Sequence, residues 1–310
     1  MKIKDHNIYV VAYHYVHPKK KSIFQNLKSL ELKDFKDQIS YFQKNYNLIN
    51  YEDFCSIMIE KKITKKPCFL LTFDDGYKDH YDYVFPYLCK KKINGIFFPM
   101  IEPIVKNNVS LTNKIHLILS KNNNHKNLLS EIKKTLKKKF DIDLEKFYKK
   151  FILVNEYKFD SKTTAFIKLL LQNLLEIPIR EFLINNLFKN YNEKETSKKL
   201  YLNKSEIKEM LDNKMIFGIH GYSHERLGEM SKDNQKKDLM KVIKFFNNTI
   251  GTKFNYDIPI AYPFGSYNRN TINVLKNANI SYGFNAKLGS INKKNISHIY
   301  DLPRIETNFF

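Results

Sequence analysis

"LLTFDDGYKDH", residues 70–80, sets two aspartates side by side behind an apolar run, with a glycine directly after them. Two carboxylates placed this way repel each other. A turn is one account, because Asp-Gly is a common turn dipeptide. A cation, held by at least one of them, is the other. The segments on either side decide between the two.

"PCFLLTF" (67–73) reads as a buried strand running into the doublet. "IYVVAYHYV" (8–16) is a second buried strand and "INGIFFPM" (93–100) a third. Between them, "LKDFKDQISYFQKNY" (32–46) carries apolar residues at helical spacing. "KDHYDYVFPYLCKKK" (78–92) is also helical, with Pro86 bending or ending it. Strands alternating with helices predict an α/β fold with parallel strands.

From about residue 104 to 200 the rhythm changes. "TNKIHLILS" (112–120), "LEKFYKKFILV" (144–154) and "TTAFIKLLLQNLLEI" (163–177) place apolar residues at three- and four-residue steps, with no strands between them. Alternation then resumes. A helix is predicted over 203–213, a strand "MIFGIH" over 215–220 and a helix over 231–251. A strand "IPIAYPFG" over 258–265, a helix over 268–279 and a strand "ISYGFNA" over 280–286 follow. The expected organisation is an α/β domain in two parts, 1–103 and 201–310, interrupted by a helical insertion, 104–200. The amphipathic patterning of the insertion needs a surface to cover. The expected surface is the mouth of the site, with the insertion as a helical cap that shapes substrate choice; a decoration packed on the side of the domain, or used for dimerisation, is the alternative.

Composition sets bounds. The 310 residues are 43% apolar and 14% aromatic, enough for a packed core and unlike a disordered chain. Lysine and arginine number 53 against 32 acidic residues, a net charge of +21, which attracts anionic substrates, lipid headgroups or nucleic acid. The lysines fall in scattered groups such as 19–21 and 137–139, not along one helix beside aromatics, so nucleic acid is not an expected partner. Cys55, Cys68 and Cys89 are odd in number and lack CxxC spacing, which suits a reducing compartment. No signal-peptide pattern and no run of about 18 uncharged apolar residues is present. The expected location is cytoplasmic, with peripheral contact to the inner membrane face.

Three predicted strand ends carry polar groups: Asp74-Asp75-Gly76, then His220 and His224 in "HGYSHERL", then Tyr262-Pro263-Phe264-Gly265. Parallel α/β barrels gather catalytic groups at the C-terminal ends of their strands. Two histidines four apart also arise by coincidence on a helix face or loop. Joined by a carboxylate, they make a two-His, one-carboxylate set suited to a divalent metal with open positions. Only one aspartate is needed as a ligand, which leaves the other free to act as a general base.

With these motifs the chain resembles the polysaccharide deacetylases of the NodB type, carbohydrate esterase family 4, over roughly 5–100 and 200–305. The first motif, T-F-D-D-G, corresponds to Thr72–Gly76. The second, His-[Ser/Thr]-x-x-His, corresponds to His220–His224, with Gly221 in place of the hydroxyl residue. The third, ending Pro-Tyr-Gly, corresponds to Pro263–Gly265. The resemblance implies a distorted, incomplete (β/α) barrel. It implies Asp74 as general base and Asp75, His220 and His224 as ligands of one divalent metal, zinc foremost, with cobalt or nickel as alternatives. It also implies that Tyr262, Pro263 and Phe264 line the substrate and oxyanion position, with the Phe264 N–H as donor.

Two departures reassign roles. The arginine usual two residues before the third motif's proline is Ala261 here, so Arg304 in "DLPRIE" is expected to pair with Asp74. No C-terminal histidine matches the usual general acid. "VAYHYV" resembles the permuted arrangement of exopolysaccharide deacetylases, which makes His14 the candidate acid, ahead of His17 and His298; a satisfied core histidine is its bland alternative. The expected reaction removes an N-acetyl, secondarily an O-acetyl, group from an amino sugar of a surface glycan or its phosphorylated or lipid-linked precursor. The rivals are a metal-dependent amidase acting on a small non-sugar amide and a degenerate domain that binds glycan without catalysis.

Overall fold

Apolar runs without alternation suit strands buried on both faces, and such runs form the centre of the fold. The computed structural model describes residues 3–19, 24, 26–122, 124–152, 160–251, 254 and 256–307. Its strands are β1 (Ile8–Tyr13), β2 (Val16–His17), β3 (Leu30–Glu31), β4 (Asn47–Leu48) and β5 (Cys68–Asp75), then β6 (Ile96–Pro99), β7 (Ile216–Phe217), β8 (Ile258–Ala261), β9 (Ile280–Leu288) and β10 (Leu302–Glu306). The main sheet runs β7-β6-β5-β1-β10-β9-β8, with β4 beside β5. Every pairing in it is parallel. β1 and β5 are buried along their whole length and sit at its middle.

The two ends of this sheet meet just past β7. The Gly218 N–H still donates to Phe97 of β6 at 2.9 Å. One residue on, the Ile219 N–H donates to the Pro259 carbonyl and the Ile219 carbonyl accepts from Ala261, both at 2.9 Å. The change of partner requires glycine, because a Cβ at position 218 would lie 2.3 Å from the Phe98 ring. The result is a nearly closed parallel barrel with surrounding helices, the incomplete (β/α) barrel expected.

Several local expectations are corrected. "MIFGIH" is a ladder strand only over Ile216–Phe217, because its later residues change partner as described. The run 8–16 breaks at His14–Tyr15, and β2 turns away to pair with β3. β5 extends through both aspartates, which pair with Phe98 and Pro99 of β6. β10 went unpredicted because Pro303 reads as a strand breaker. The proline is tolerated where the register with β9 shifts, between Leu302 and Arg304. Pro86 falls in the first turn of a helix, Phe85–Lys91, which follows a wider π turn over His80–Val84, so the register changes there but the helical path continues.

The chain divides into two compact units. One comprises Met1–Lys21, Ser29–Asn108 and Ser197–Phe310 and contains the barrel. The other comprises Ser22–Lys28 and Val109–Thr196. Its helices include Leu111–Lys121, His125–Phe140, Glu145–Ile152, Lys162–Leu169 and Ile177–Phe188. The last two residues of the predicted helix 144–154 lie outside the described residues. Among the described residues, no helix is long and apolar enough to cross a membrane.

Candidate active site

Asp74 and Asp75 close β5, yet their carboxylates serve different partners. Backbone geometry accomplishes this. Asp75 takes a left-handed φ of 71°, uncommon for a residue with a side chain, and Gly76 follows with φ 69°. A Cβ at position 76 would lie 2.5 Å from the Pro99 Cβ, so the glycine is sterically required. Strain of this kind persists only where surrounding structure enforces it, and it clusters at functional sites.

Asp74 is buried against Arg304 of β10. The guanidinium donates two parallel hydrogen bonds to its carboxylate, at 2.8 Å and 2.7 Å. Arg304 also donates to the Asn285 carbonyl at 3.3 Å and to the Thr72 hydroxyl at 3.4 Å. Burial by itself raises the Asp74 pKa. The adjacent Arg304 charge and its hydrogen bonds, with smaller contributions from His220 and His14, bring it down to about 2. The arginine clamp therefore favours the ionised form of Asp74.

Asp75 faces His220 and His224. Its Oδ1 lies 3.4 Å from His220 Nε2 and 3.5 Å from His224 Nε2. That oxygen is buried without a hydrogen-bond partner. Its Oδ2 accepts from the Tyr77 hydroxyl at 2.6 Å, which fixes the carboxylate's rotation. His220 Nδ1 donates to the Ala261 carbonyl at 2.7 Å, so its Nε2 lone pair points into the cluster. Burial lowers the His224 pKa to about 4, which keeps that imidazole neutral as a ligand must be.

These three groups fit a metal. One donor atom from each lies within 4.8 Å of the others. Ligand bonds of about 2.1 Å in a tetrahedron put neighbouring donors roughly 3.4 Å apart. The spacings from the Asp75 oxygen to the two imidazoles match that edge length, and its partnerless Oδ1 is the atom such an ion would satisfy.

His14 follows the end of β1, on the same side. Its Nε2 lies 3.8 Å from Asp74 Oδ2 and its Nδ1 lies 3.7 Å from Glu306 Oε2. His80 donates to the His14 carbonyl at 2.7 Å and holds its backbone. Burial acts to lower the His14 pKa, but Glu306, then Asp74 and Asp75, more than offset it, and the net shift is upward. The side chain keeps 39% of its surface open to solvent, enough to meet a substrate.

In the third motif, Pro263–Gly265 forms a tight turn with Phe264 at φ 56°. The Phe264 ring is 39% exposed and stands 4.7 Å from the His224 ring, centroid to centroid. Pro263 is buried. Tyr262 is buried too, and its hydroxyl donates to the Tyr300 carbonyl at 3.0 Å, behind the turn. His17 is buried in the β2–β3 ribbon and His298 is exposed in the turns before β10. Among the described residues, neither side chain makes a hydrogen bond or ion pair with Asp74, Asp75, His220 or His224.

The sequence profile described as "Polysaccharide deacetylase" matches residues 61–151 and 155–283, well over half of the chain. The chain belongs to the polysaccharide deacetylase family. Its members are deacetylase hydrolases acting on acetylated polysaccharide, and this chain is accordingly an enzyme of that class. A search of curated proteins by sequence returns no match. Among solved structures, the fold is similar to the Streptococcus pyogenes deacetylase PplD in complex with acetate, at 16% identity and a TM-score of 0.59, covering 98% of this chain and 93% of that one. It is also similar to IcaB from Ammonifex degensii, at 14% identity and a TM-score of 0.59, covering 99% and 94%. The deacetylase domain of BpsB from Bordetella bronchiseptica follows, at 13% identity and 0.54, covering 98% of each chain.

Sequence reasoning missed Tyr77, Glu306 and His80. Glu306 carried a signal, since it lies two residues from Arg304, and alternate residues of a strand share a face. Tyr77 and His80 carried none, because their partners are set by the turn after β5.

Proposed function

We propose that this chain is a metal-dependent deacetylase that removes an N-acetyl group from an amino sugar within a surface polysaccharide or its precursor. The observation that carries the proposal is the convergence, on one side of one barrel, of a two-His, one-carboxylate set, an ionised carboxylate clamped by arginine, and a histidine beside that carboxylate. Asp75, His220 and His224 would hold one divalent ion, zinc foremost with cobalt or nickel as alternatives, which would supply Lewis-acid polarisation of the acetyl carbonyl and acidify water.

The protein's own groups then divide the work. Asp74, kept ionised by Arg304, takes a proton from the attacking water as its oxygen bonds to the acetyl carbon. The backbone N–H of Phe264 donates to the oxyanion that develops. His14 gives a proton to the amide nitrogen as the C–N bond breaks, so acetate and a free amine leave. The raised His14 pKa, traced above to Glu306 and the aspartates, keeps that proton available near neutrality. Acetate, the product expected here, is the molecule named with the S. pyogenes neighbour. The net charge of +21 suits a phosphorylated or lipid-linked glycan and peripheral contact with an anionic membrane face.

Acetate release from a panel of N- and O-acetylated amino-sugar oligomers and lipid- or nucleotide-linked sugars tests the proposal. Wild type should release acetate from an N-acetylated member. Asp74→Asn should keep its metal and lose roughly 10²–10⁴-fold in rate, the usual contribution of a general base. No release across the panel, or an unaffected Asp74→Asn variant, would defeat the proposal.

A further inference from the structure

The loop carrying both histidine ligands has an unusual backbone. Gly221 takes φ 71° and His224 takes φ 60°, so two residues of five are left-handed. His224 reaches Asp75 only through this path. The hydroxyl residue usual after the first histidine of the motif is replaced by Gly221, so the chain lacks that side chain as a means of holding the loop.

A carboxylate from another element occupies the space. Asp238 lies within the helix Lys232–Lys244 and is 6% exposed. Its Oδ2 accepts from the Tyr222 N–H at 2.7 Å. Its Oδ1 accepts from the Ser223 hydroxyl at 3.2 Å and the Ser223 N–H at 3.4 Å. A Cβ built on Gly221 would lie 3.2 Å from Asp238 Oδ2, so the carboxylate sits where a side chain at 221 would begin. One turn along the helix, the Lys241 Nζ lies 4.8 Å from the centre of the Tyr222 ring. On the preceding turn, the Gln235 amide donates to the Leu227 and Met230 carbonyls at 2.8 Å and 3.0 Å. One helix face thus holds the loop over a span of nine residues.

We infer that Asp238 is a positioning residue for the metal site: its carboxylate gathers the backbone of Tyr222 and Ser223 and so sets the approach of His224 to Asp75 and His220. The physical reason is accounting. Two half-buried N–H groups and a hydroxyl must be satisfied without a regular ladder, and one buried carboxylate accepts from all three. A carboxylate is worth its burial there because charge-assisted bonds to backbone N–H are among the stronger ones available. Groups that orient metal ligands from behind typically change affinity by 10–100-fold. The inference rests on Asp75, His220 and His224 being the ligands.

The test measures metal affinity directly, by competition of purified protein with a chromogenic chelator for zinc, together with the visible absorption spectrum of the cobalt-substituted protein. Asp238→Ala should weaken zinc binding by about 10–100-fold and alter the cobalt spectrum. Asp238→Asn, which keeps one acceptor oxygen, should fall between it and wild type and serves if the alanine variant does not fold. Val242→Ala, one turn along the same helix and fully buried, should lower the melting temperature and leave affinity and spectrum unchanged. Wild-type affinity and spectrum in both Asp238 variants would overturn the inference while leaving the metal site standing. Equal weakening by Val242→Ala would reduce Asp238 to a general structural role and overturn it too. A wild-type protein that takes up neither zinc nor cobalt would remove the metal site itself.

Discussion

Replacing Arg304 with methionine tests the electrostatic basis of the proposed general base. The substitution keeps an apolar stem but removes the guanidinium and both of its hydrogen bonds to Asp74, at 2.8 Å and 2.7 Å. A buried charge stripped of its partner costs about 3–5 kcal/mol. At about 1.4 kcal/mol per unit, that corresponds to a rise of roughly 2–4 units in the Asp74 pKa. The wild-type value is about 2, so protonation should enter the range of roughly pH 4–6 in the variant. The sign follows from the depressed pKa. In wild type the ionised pair contributes stability above pH 3.8, lost as pH falls through about 2; in Arg304→Met that contribution is absent. Two assays read this out. A pH–rate profile for acetate release should show a new acid limb in the variant, with metal content unchanged. Urea unfolding of metal-free protein at pH 7 should show the variant destabilised by about 3–5 kcal/mol, and adding Asp74→Asn should recover much of the loss, because no unpaired charge remains. An unmoved acid limb together with additive effects in the double variant would refute the claim that Arg304 holds Asp74 ionised.

Three further outcomes are expected. Tyr77→Phe leaves Asp75 Oδ2 without its 2.6 Å donor, so metal affinity should fall by about 10–100-fold by chelator competition, with the fold intact by circular dichroism. Glu306→Gln removes the leading cause that raises the His14 pKa; since activity is lost as His14 gives up its proton, the alkaline limb of the pH–rate profile should move to lower pH, and high salt should mimic the change in wild type. Gly76→Ala places a methyl against Pro99 in a left-handed backbone, so soluble yield and thermal stability should drop sharply, whereas a well-folded variant would contradict the steric argument.

The sequence exposed the chemistry where it was contiguous. "TFDDG" and "HGYSH" each gather their candidate groups within five consecutive residues, and a strand end followed by glycine is a local signal. The pairing of Arg304 with Asp74 was also within reach, because a buried carboxylate demands a cation and the position that usually supplies one holds Ala261. What stayed hidden depends on register between distant segments. Glu306 meets His14 only because β10 lies parallel to β1, with Ile305 opposite Val11. Asp238 meets Tyr222 across sixteen residues through a helix face that periodicity marks as amphipathic without naming its polar partner. β10 itself was obscured by Pro303, whose cost is absorbed at a register shift that no local pattern announces. The grouping of Ser22–Lys28 with Val109–Thr196 likewise joins segments far apart in the chain.

The most direct test of the account measures acetate release by protein stripped with a chelator and then reloaded with one equivalent of zinc, cobalt or nickel, alongside Asp75→Asn and His224→Ala treated identically. The account predicts negligible release from stripped wild type, recovery on adding about one equivalent of metal, and no recovery in either ligand variant at the same metal concentration. Full activity in metal-free protein, or full recovery in the variants, would contradict it.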